Sequence, residues 1–244
     1  MVSLVYTELL KLKRAKMFLV SVVGAAAAPI MMFIGFLNMR KDKPETPITF
    51  ELSFYNTNLY VLLLIGTLLY GIITAYLFNR EYAEDTLKNL LTIPVSRISL
   101  LISKWIMLFL WIVVLTLVAW GLTLLLGLIG RFEGLDASVI TGSLKQYIVG
   151  AAFIFLLSTP TVFITLLFKN YVPTIIFTAI VTMGNVALAE QDYQGLFPWS
   201  AVHVIASGEF APAYPALYSY AAILLTSIAG FLATIIYFKR TDVH

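Results

Sequence analysis

The side chains in this sequence that could do chemistry are few and badly spaced for catalysis. Its two histidines, His203 and His244, stand far apart. No H-E-x-x-H pair is present to hold a zinc ion. No G-x-x-x-x-G-K-[ST] loop is present to cradle the phosphates of ATP. Cysteine is absent, which removes thiolate metal sites and disulfides. The densest run of charged and hydroxyl side chains is Arg80-Glu81-Tyr82-Ala83-Glu84-Asp85-Thr86-Leu87-Lys88-Asn89-Leu90-Leu91-Thr92-Ile93-Pro94-Val95-Ser96-Arg97. Ala83, Leu87, Leu90 and Leu91 recur at i, i+4, i+7 and i+8, an apolar stripe along one helix face. Glu81, Glu84, Asp85, Lys88 and Asn89 fill the other face, with Glu84 and Lys88 spaced for an i, i+4 pair. Pro94 ends the helix, because the residue before a proline is steered out of the α region. Ser96 is then placed to cap the next helix. The chemistry this run offers is recognition. It is either an amphipathic rod for a protein partner or a loop helix that packs on its own bundle.

The elements that position this rod are set by the distribution of charge. Hydrophobic residues make up 60% of the 244 residues and charged residues 12%, about half the charge of an ordinary soluble domain. Mean hydropathy is +0.92. Six stretches carry no charge: 17–39, 52–79, 105–130, 146–168, 170–189 and 210–238. Each is long enough to cross about 30 Å of hydrocarbon as a helix of roughly 20 residues. The expected fold is an all-α membrane protein of six transmembrane helices, the first retained rather than cleaved as a leader. No segment outside the spans is long enough for a separate soluble domain. No acidic residue is expected inside a span, so the paired intramembrane carboxylates of proton-coupled carriers are missing.

Charge also sets the orientation. Eleven Lys and Arg residues fall on the side that holds both termini and the 79–104 segment, and five on the other. Basic residues mark the cytoplasmic side, so both termini are expected there. Residues 1–16 read as an amphipathic interfacial helix, with Val2, Val5, Tyr6, Leu9, Leu10 and Leu12 on one face and Ser3, Thr7, Glu8, Lys11 and Arg14 on the other. Residues 17–244 form the transmembrane domain. Within it lie a cytoplasmic segment at 79–104 and an outer segment at 190–215 rich in aromatics, prolines and glycines. That outer segment fits either a surface loop with interfacial anchors or backbone returning to membrane depth, which is tolerated only when buried in protein or lining water. Asn56 and Asn58 near the outer start of span two, Asn185 in span five and Glu190 beyond it are candidates for a polar outer pathway. Interhelical hydrogen bonding is the plainer role for Asn185.

The order of residues in 80–104 resembles the signature loop of type-2 ABC exporter permeases. The basic N-terminal helix (Glu8, Leu9, Lys11, Lys13, Arg14), the six spans and the long outer segment before the last span extend the likeness. Within that family the chain is most similar to the small permeases of bacitracin and lantibiotic resistance. The resemblance implies that the helix after span two is a coupling helix seated on a separate ATPase. Glu81, Glu84, Asp85, Thr86, Leu87, Leu90 and Leu91 would touch that partner, and Pro94 and Arg97 would set the turn into span three. It also implies two cytoplasmic ABC ATPase subunits with ATP and Mg on them and no cofactor in this chain. A second permease copy or paralogue in a bacterial plasma membrane follows as well, with no nucleic acid among the partners. In the outer segment it implies short re-entrant helices. The expected function is the permease subunit of an exporter that moves or extracts an amphipathic, antimicrobial-peptide-like molecule. The alternative is a mechanical transmitter or scaffold driven by the same kind of ATPase.

Overall fold

The computed structural model describes residues 2–13, 15–43, 45–84 and 96–240, and these are almost wholly helical. The helices are α1 (Val2–Lys13), α2 (Met17–Asp42), α3 (Phe50–Tyr60), α4 (Gly66–Ala83) and α5 (Arg97–Ile129). They continue with α6 (Ala137–Leu156), α7 (Ser158–Phe168), α8 (Tyr171–Leu188), α9 (Pro198–Ser207) and α10 (Ala216–Arg240). Six segments are long and apolar enough to cross a membrane: Met17–Asp42, Phe50–Ala83, Ile98–Ile129, Ala137–Phe168, Tyr171–Leu188 and Ala216–Arg240. The all-α, six-span architecture expected from the uncharged runs is therefore present. The first four spans are longer than their runs, because helices extend past the hydrocarbon-length apolar core until a cap or breaker stops them, whereas the fifth and sixth are shorter than theirs. The second span accordingly reaches Ala83 and takes in Glu51 and Glu81. With Asp42 at the end of the first span, the expectation of no acid within a span fails at three positions.

Local chemistry explains where the helices start and break. Thr49, Ser96, Asp136 and Asn170 sit at N-caps and accept hydrogen bonds from the backbone N–H groups of Leu52, Ser99, Val139 and Val172. Each satisfies a donor that the first helical turn leaves unpaired. The Asp136 carboxyl is held below its usual range by the Val139 N–H and the Ser138 hydroxyl. Lys169 adopts a left-handed conformation (φ 50°) and turns the chain tightly from α7 into α8. The fourth span breaks at Leu157, where Pro160 supplies no N–H and crowds the preceding turn. Ser158 and Thr159 take up the carbonyls of Phe155 and Leu156 with their hydroxyls, at 2.7 and 3.1 Å. Gly230 of α10 fits against this break, since a Cβ there would lie 2.4 Å from the Pro160 nitrogen.

The second span is the axis of the bundle. In its most apolar window 67% of residues are buried, against 22% for the first and sixth spans. α4 meets α8 where Gly71 would place a Cβ 2.1 Å from the Thr178 methyl. The span is one continuous helix of 34 residues with a π-turn at Val61–Ile65. α2 lies along α5, where Trp111 donates from Nε1 to the Ser21 hydroxyl at 3.0 Å. Trp105 is 6% exposed and stacks on Phe231 at 4.9 Å. It is a bundle residue rather than an interfacial anchor. At the other end, an isolated bridge joins Thr49 to Glu133. Beside it the Phe132 ring packs among Phe33, Phe36 and Phe50, with the Arg40 guanidinium over its face.

Candidate functional site

Four charged side chains meet at the end of the bundle where α4 ends and α5 begins. Lys11 of α1 pairs with Glu8 at 2.7 Å and with Glu81 of α4 at 3.0 Å. Lys104 of α5 pairs with Glu81 at 2.5 Å and approaches Glu8 at 3.7 Å. The charges alternate around a closed ring of zero net charge. Glu81 is only 2% exposed and Glu8 7%, so their carboxylates have almost no water and depend on the two lysines. Lys104 also donates to the Leu77 carbonyl at 2.7 Å. Burial alone would lower the pKa of Lys11. The carboxylates of Glu81 and Glu8 outweigh it and hold the ammonium above its ordinary range.

The sequence sets Glu8, Glu81 and Lys104 on stripes that face inward, and Lys11 one turn along from Glu8 at the edge of its stripe. Val5, Glu8 and Leu12 lie on the packed side of α1. Leu77, Phe78 and Glu81 do the same on α4, and Leu101, Lys104, Trp105 and Leu108 on α5. A charge at helical spacing among buried apolar residues is the signal from which the ring could have been read. Amphipathic scanning misses it, because that procedure assigns every charge to water. The consequence for α1 is a rotated face. Glu8 points into the bundle and Tyr6, Leu9 and Leu10 are exposed, whereas the sequence pattern put Glu8 on the outward polar side. Glu8 can turn inward because the ring neutralises it. A crevice lined by Glu8, Glu81, Lys104, Leu166 and Phe238 brings the ends of α7 and α10 to the same place.

Glu81 thus lies in the last turn of α4, turned inward, and does not begin a separate helix. Glu84 is half-exposed and bonds Arg80 at 2.9 Å. Arg97 opens α5, capped by Ser96 as its spacing predicts. Asp85, Thr86, Leu87, Leu90, Leu91 and Pro94 lie outside the described residues.

The four outer candidates are not brought together. Glu190 lines a cleft of about 460 Å³ with Tyr60, Leu63, Val186 and Gln191. Asn56 donates to the Leu52 carbonyl of its own helix. Asn58 is 3% exposed, and its Oδ1 finds no partner among the described residues. Asn185 is fully buried. Its Nδ2 donates to the Leu63 carbonyl at 3.0 Å, and its Oδ1 accepts from the Ser200 hydroxyl at 2.9 Å. It is a tie between helices, as interhelical hydrogen bonding predicts.

Part of the outer segment is likewise more enclosed than a surface loop. α9 starts with Pro198 at its first turn, ends at Gly208 (φ 78°), and buries every residue from Ser200 to Ala206. His203 is carried inward with it, 5% exposed, its ring edge-on to Tyr55 at 5.5 Å. Burial lowers the His203 pKa against the opposing pull of Glu209. The Tyr55 hydroxyl donates to the Glu209 carboxylate and ties the start of the second span to the end of α9. Among the described residues, no group of His, Asp and Glu could hold a metal ion.

Two comparisons bear on the identity of this helical bundle. The profile of the ABC-2 family transporter proteins matches residues 4–185. The bacitracin transport permease protein BCRB of Bacillus licheniformis is 59% identical over 201 residues, covering 82% of this chain and 97% of that protein. The profile match runs from α1 into the fifth span and takes in all four residues of the ring. The chain belongs to the ABC-2 transporter family, as a multi-pass permease of the plasma membrane.

Proposed function

We propose that the chain is the permease subunit of an ATP-driven exporter, worked through residues 79–104 by a separate cytoplasmic ATPase that carries the ATP and Mg. The observation that carries this reading is the ring. Glu81 and Lys104 stand near the two ends of the 84–96 segment, and Lys11 and Glu8 fasten α1 to both. A push on the segment is thereby delivered to span two, span three and α1 together. Salt bridges in nearly dry surroundings resist separation, since parting them leaves uncompensated charge. The chain has no P-loop, so the work must come from a partner.

Orientation follows the same geometry. α1, the inner ends of α4, α5, α7 and α10 and most of the basic residues share one end of the bundle. Basic residues favour the cytoplasmic face, and this end is the cytoplasmic one in our reading. The exposed Tyr6, Leu9 and Leu10 of α1 then lie at the inner headgroup level. Half a transporter's worth of spans calls for a second permease copy or paralogue and two ATPases. The cargo is amphipathic and resembles an antimicrobial peptide, in keeping with the transport of bacitracin named for the relative and with the long uncharged runs of the spans.

The test is co-purification from native membranes. The wild-type chain should bring down a nucleotide-hydrolysing subunit and support ATP-driven uptake of labelled bacitracin by inverted vesicles. Glu84→Lys or Leu87→Asp should weaken both by about tenfold or more, the effect of one unfavourable charge at a docked surface. A wild-type complex without an ATPase, or variants that couple normally, would remove the proposal. Co-purification and ATP hydrolysis without any uptake would leave the mechanical-transmitter reading in its place.

A further inference from the structure

We propose that the π-turn Val61–Ile65 is the flexing joint of the second span, and that Asn185 is the positioning residue that carries its movement to α9. The inference rests on the exporter reading above and names the internal linkage that such a permease uses.

The joint is written into the backbone. A π-turn widens the helix and shifts its hydrogen bonds from i−4 to i−5, which leaves carbonyls at the join short of their α-helical donors. Here the Leu62 carbonyl is taken by the Thr67 hydroxyl at 2.6 Å and the Leu63 carbonyl by Asn185. Gly66 follows directly. A Cβ at this position would lie 2.2 Å from the Val61 carbonyl oxygen, a backbone atom that cannot step aside. The wide turn therefore requires glycine where the sequence has it. Val61, Leu62 and Leu63 are all buried, so no bulk water is at hand to satisfy a released carbonyl.

Asn185 uses both ends of its amide. Nδ2 holds the π-turn and lies 3.5 Å from the Thr67 hydroxyl, while Oδ1 holds Ser200 in the first turn of α9. Asn185, Thr67 and Ser200 are all buried. One side chain of α8 thus joins the middle of the second span to the short outer helix. Below the joint, α4 is fixed to α1 and α5 by the charged ring. Above it, α3 is fixed by the Tyr55–Glu209 contact and by the Phe50 N–H to the Glu133 carbonyl at 2.9 Å. Between two fastened halves of a long helix, the turn with the poorest internal hydrogen bonding gives first. When it changes, Asn185 must move or release Ser200, and α9 responds.

The linkage can be tested in two arms. The chain has no cysteine, so Tyr60→Cys and Val186→Cys can carry spin labels on the cleft between the second span and α8. In the isolated permease in nanodiscs, the parent should show one distance by dipolar spectroscopy. Asn185→Leu and Gly66→Ala should each replace it with a spread or a shift. In the ATPase complex, Ser200→Ala cuts only the link to α9. It should lower labelled bacitracin transported per ATP hydrolysed by roughly tenfold, the scale expected for one lost buried hydrogen bond, with hydrolysis and assembly unchanged. An unchanged distance in Gly66→Ala, or a wild-type transport ratio in Ser200→Ala, would overturn the proposal even if Asn185→Leu failed to accumulate. Loss of hydrolysis along with transport would also overturn it, since that marks general collapse. If no ATPase joins the wild-type chain, the exporter reading fails, and the distance arm still decides whether the π-turn is a joint.

Discussion

Glu81 owes its place to two lysines from other helices. An isolated carboxylate with almost no water around it would neutralise or unfold its surroundings, and here Lys104 and Lys11 sit at 2.5 and 3.0 Å. The ring's value lies less in net stability than in what its disruption costs. Replacing a well-made buried pair by apolar residues is often neutral, whereas removing one partner costs about 3–5 kcal/mol. Lys104→Met alone should therefore destabilise the purified permease by about 3 kcal/mol. Adding Glu81→Leu should restore most of that loss, because Glu8 and Lys11 remain as a balanced pair at 2.7 Å. A double-mutant cycle by thermal or denaturant unfolding in detergent measures the coupling. Additive losses would show that the two side chains act separately. His203, a conspicuous titratable residue of the sequence, lies away from this cluster beside Tyr55.

At the scale of elements, α9 shows how a short helix can sit inside the bundle. Pro198 opens it, Gly208 closes it, and small or apolar residues cover its circumference between, His203 apart. Its polar members find partners: Ser200 on Asn185, and the Ser207 hydroxyl on the His203 carbonyl at 2.9 Å. The His203 ring instead lies in a poorly hydrated place against Tyr55, which favours the neutral imidazole. The folded pKa is therefore below that of the unfolded chain. Stability is full above an ordinary histidine pKa of about 6.5 and falls as pH drops toward the lower folded value. Thermal unfolding of the wild-type protein should show this loss on going from about pH 7.5 to about pH 5. His203→Gln should lose less over the same interval, and an equal loss would place the pH dependence elsewhere.

The whole molecule is a bundle arranged around its second span, with one end fastened by charge and the other by aromatics and a backbone bridge. Lipid-facing residues such as Leu19, Val23, Ile180, Leu217 and Leu225 cover its outside, where apolar side chains meet hydrocarbon at no penalty. In the proposed mechanism, force applied at the charged end would reach the far end chiefly through the second span, because that helix is both enclosed and continuous. The orientation of this path is open to direct measurement. A single Glu84→Cys in the otherwise cysteine-free chain should react with an impermeant maleimide in inverted vesicles and stay unlabelled in intact cells. Labelling from outside would reverse the assigned topology and, with it, the position of the proposed ATPase contact.

The sequence by itself determined the class of the molecule, its six spans and several of its helix ends. Hydrocarbon tolerates long uncharged helices and little else, so a run such as 105–130 has one reading. Ser96 acts within a few residues of itself, so its capping of α5 was legible too. The tertiary structure decided which polar residues face one another. Glu8, Lys11, Glu81 and Lys104 come from three helices, and Asn185 reaches a carbonyl 122 positions away. A charge on an apolar stripe is ambiguous until its counter-charge is in place. The π-turn was equally hidden. Gly66 permits it, but only the packing of α8 and α9 supplies the amide that holds the freed carbonyl.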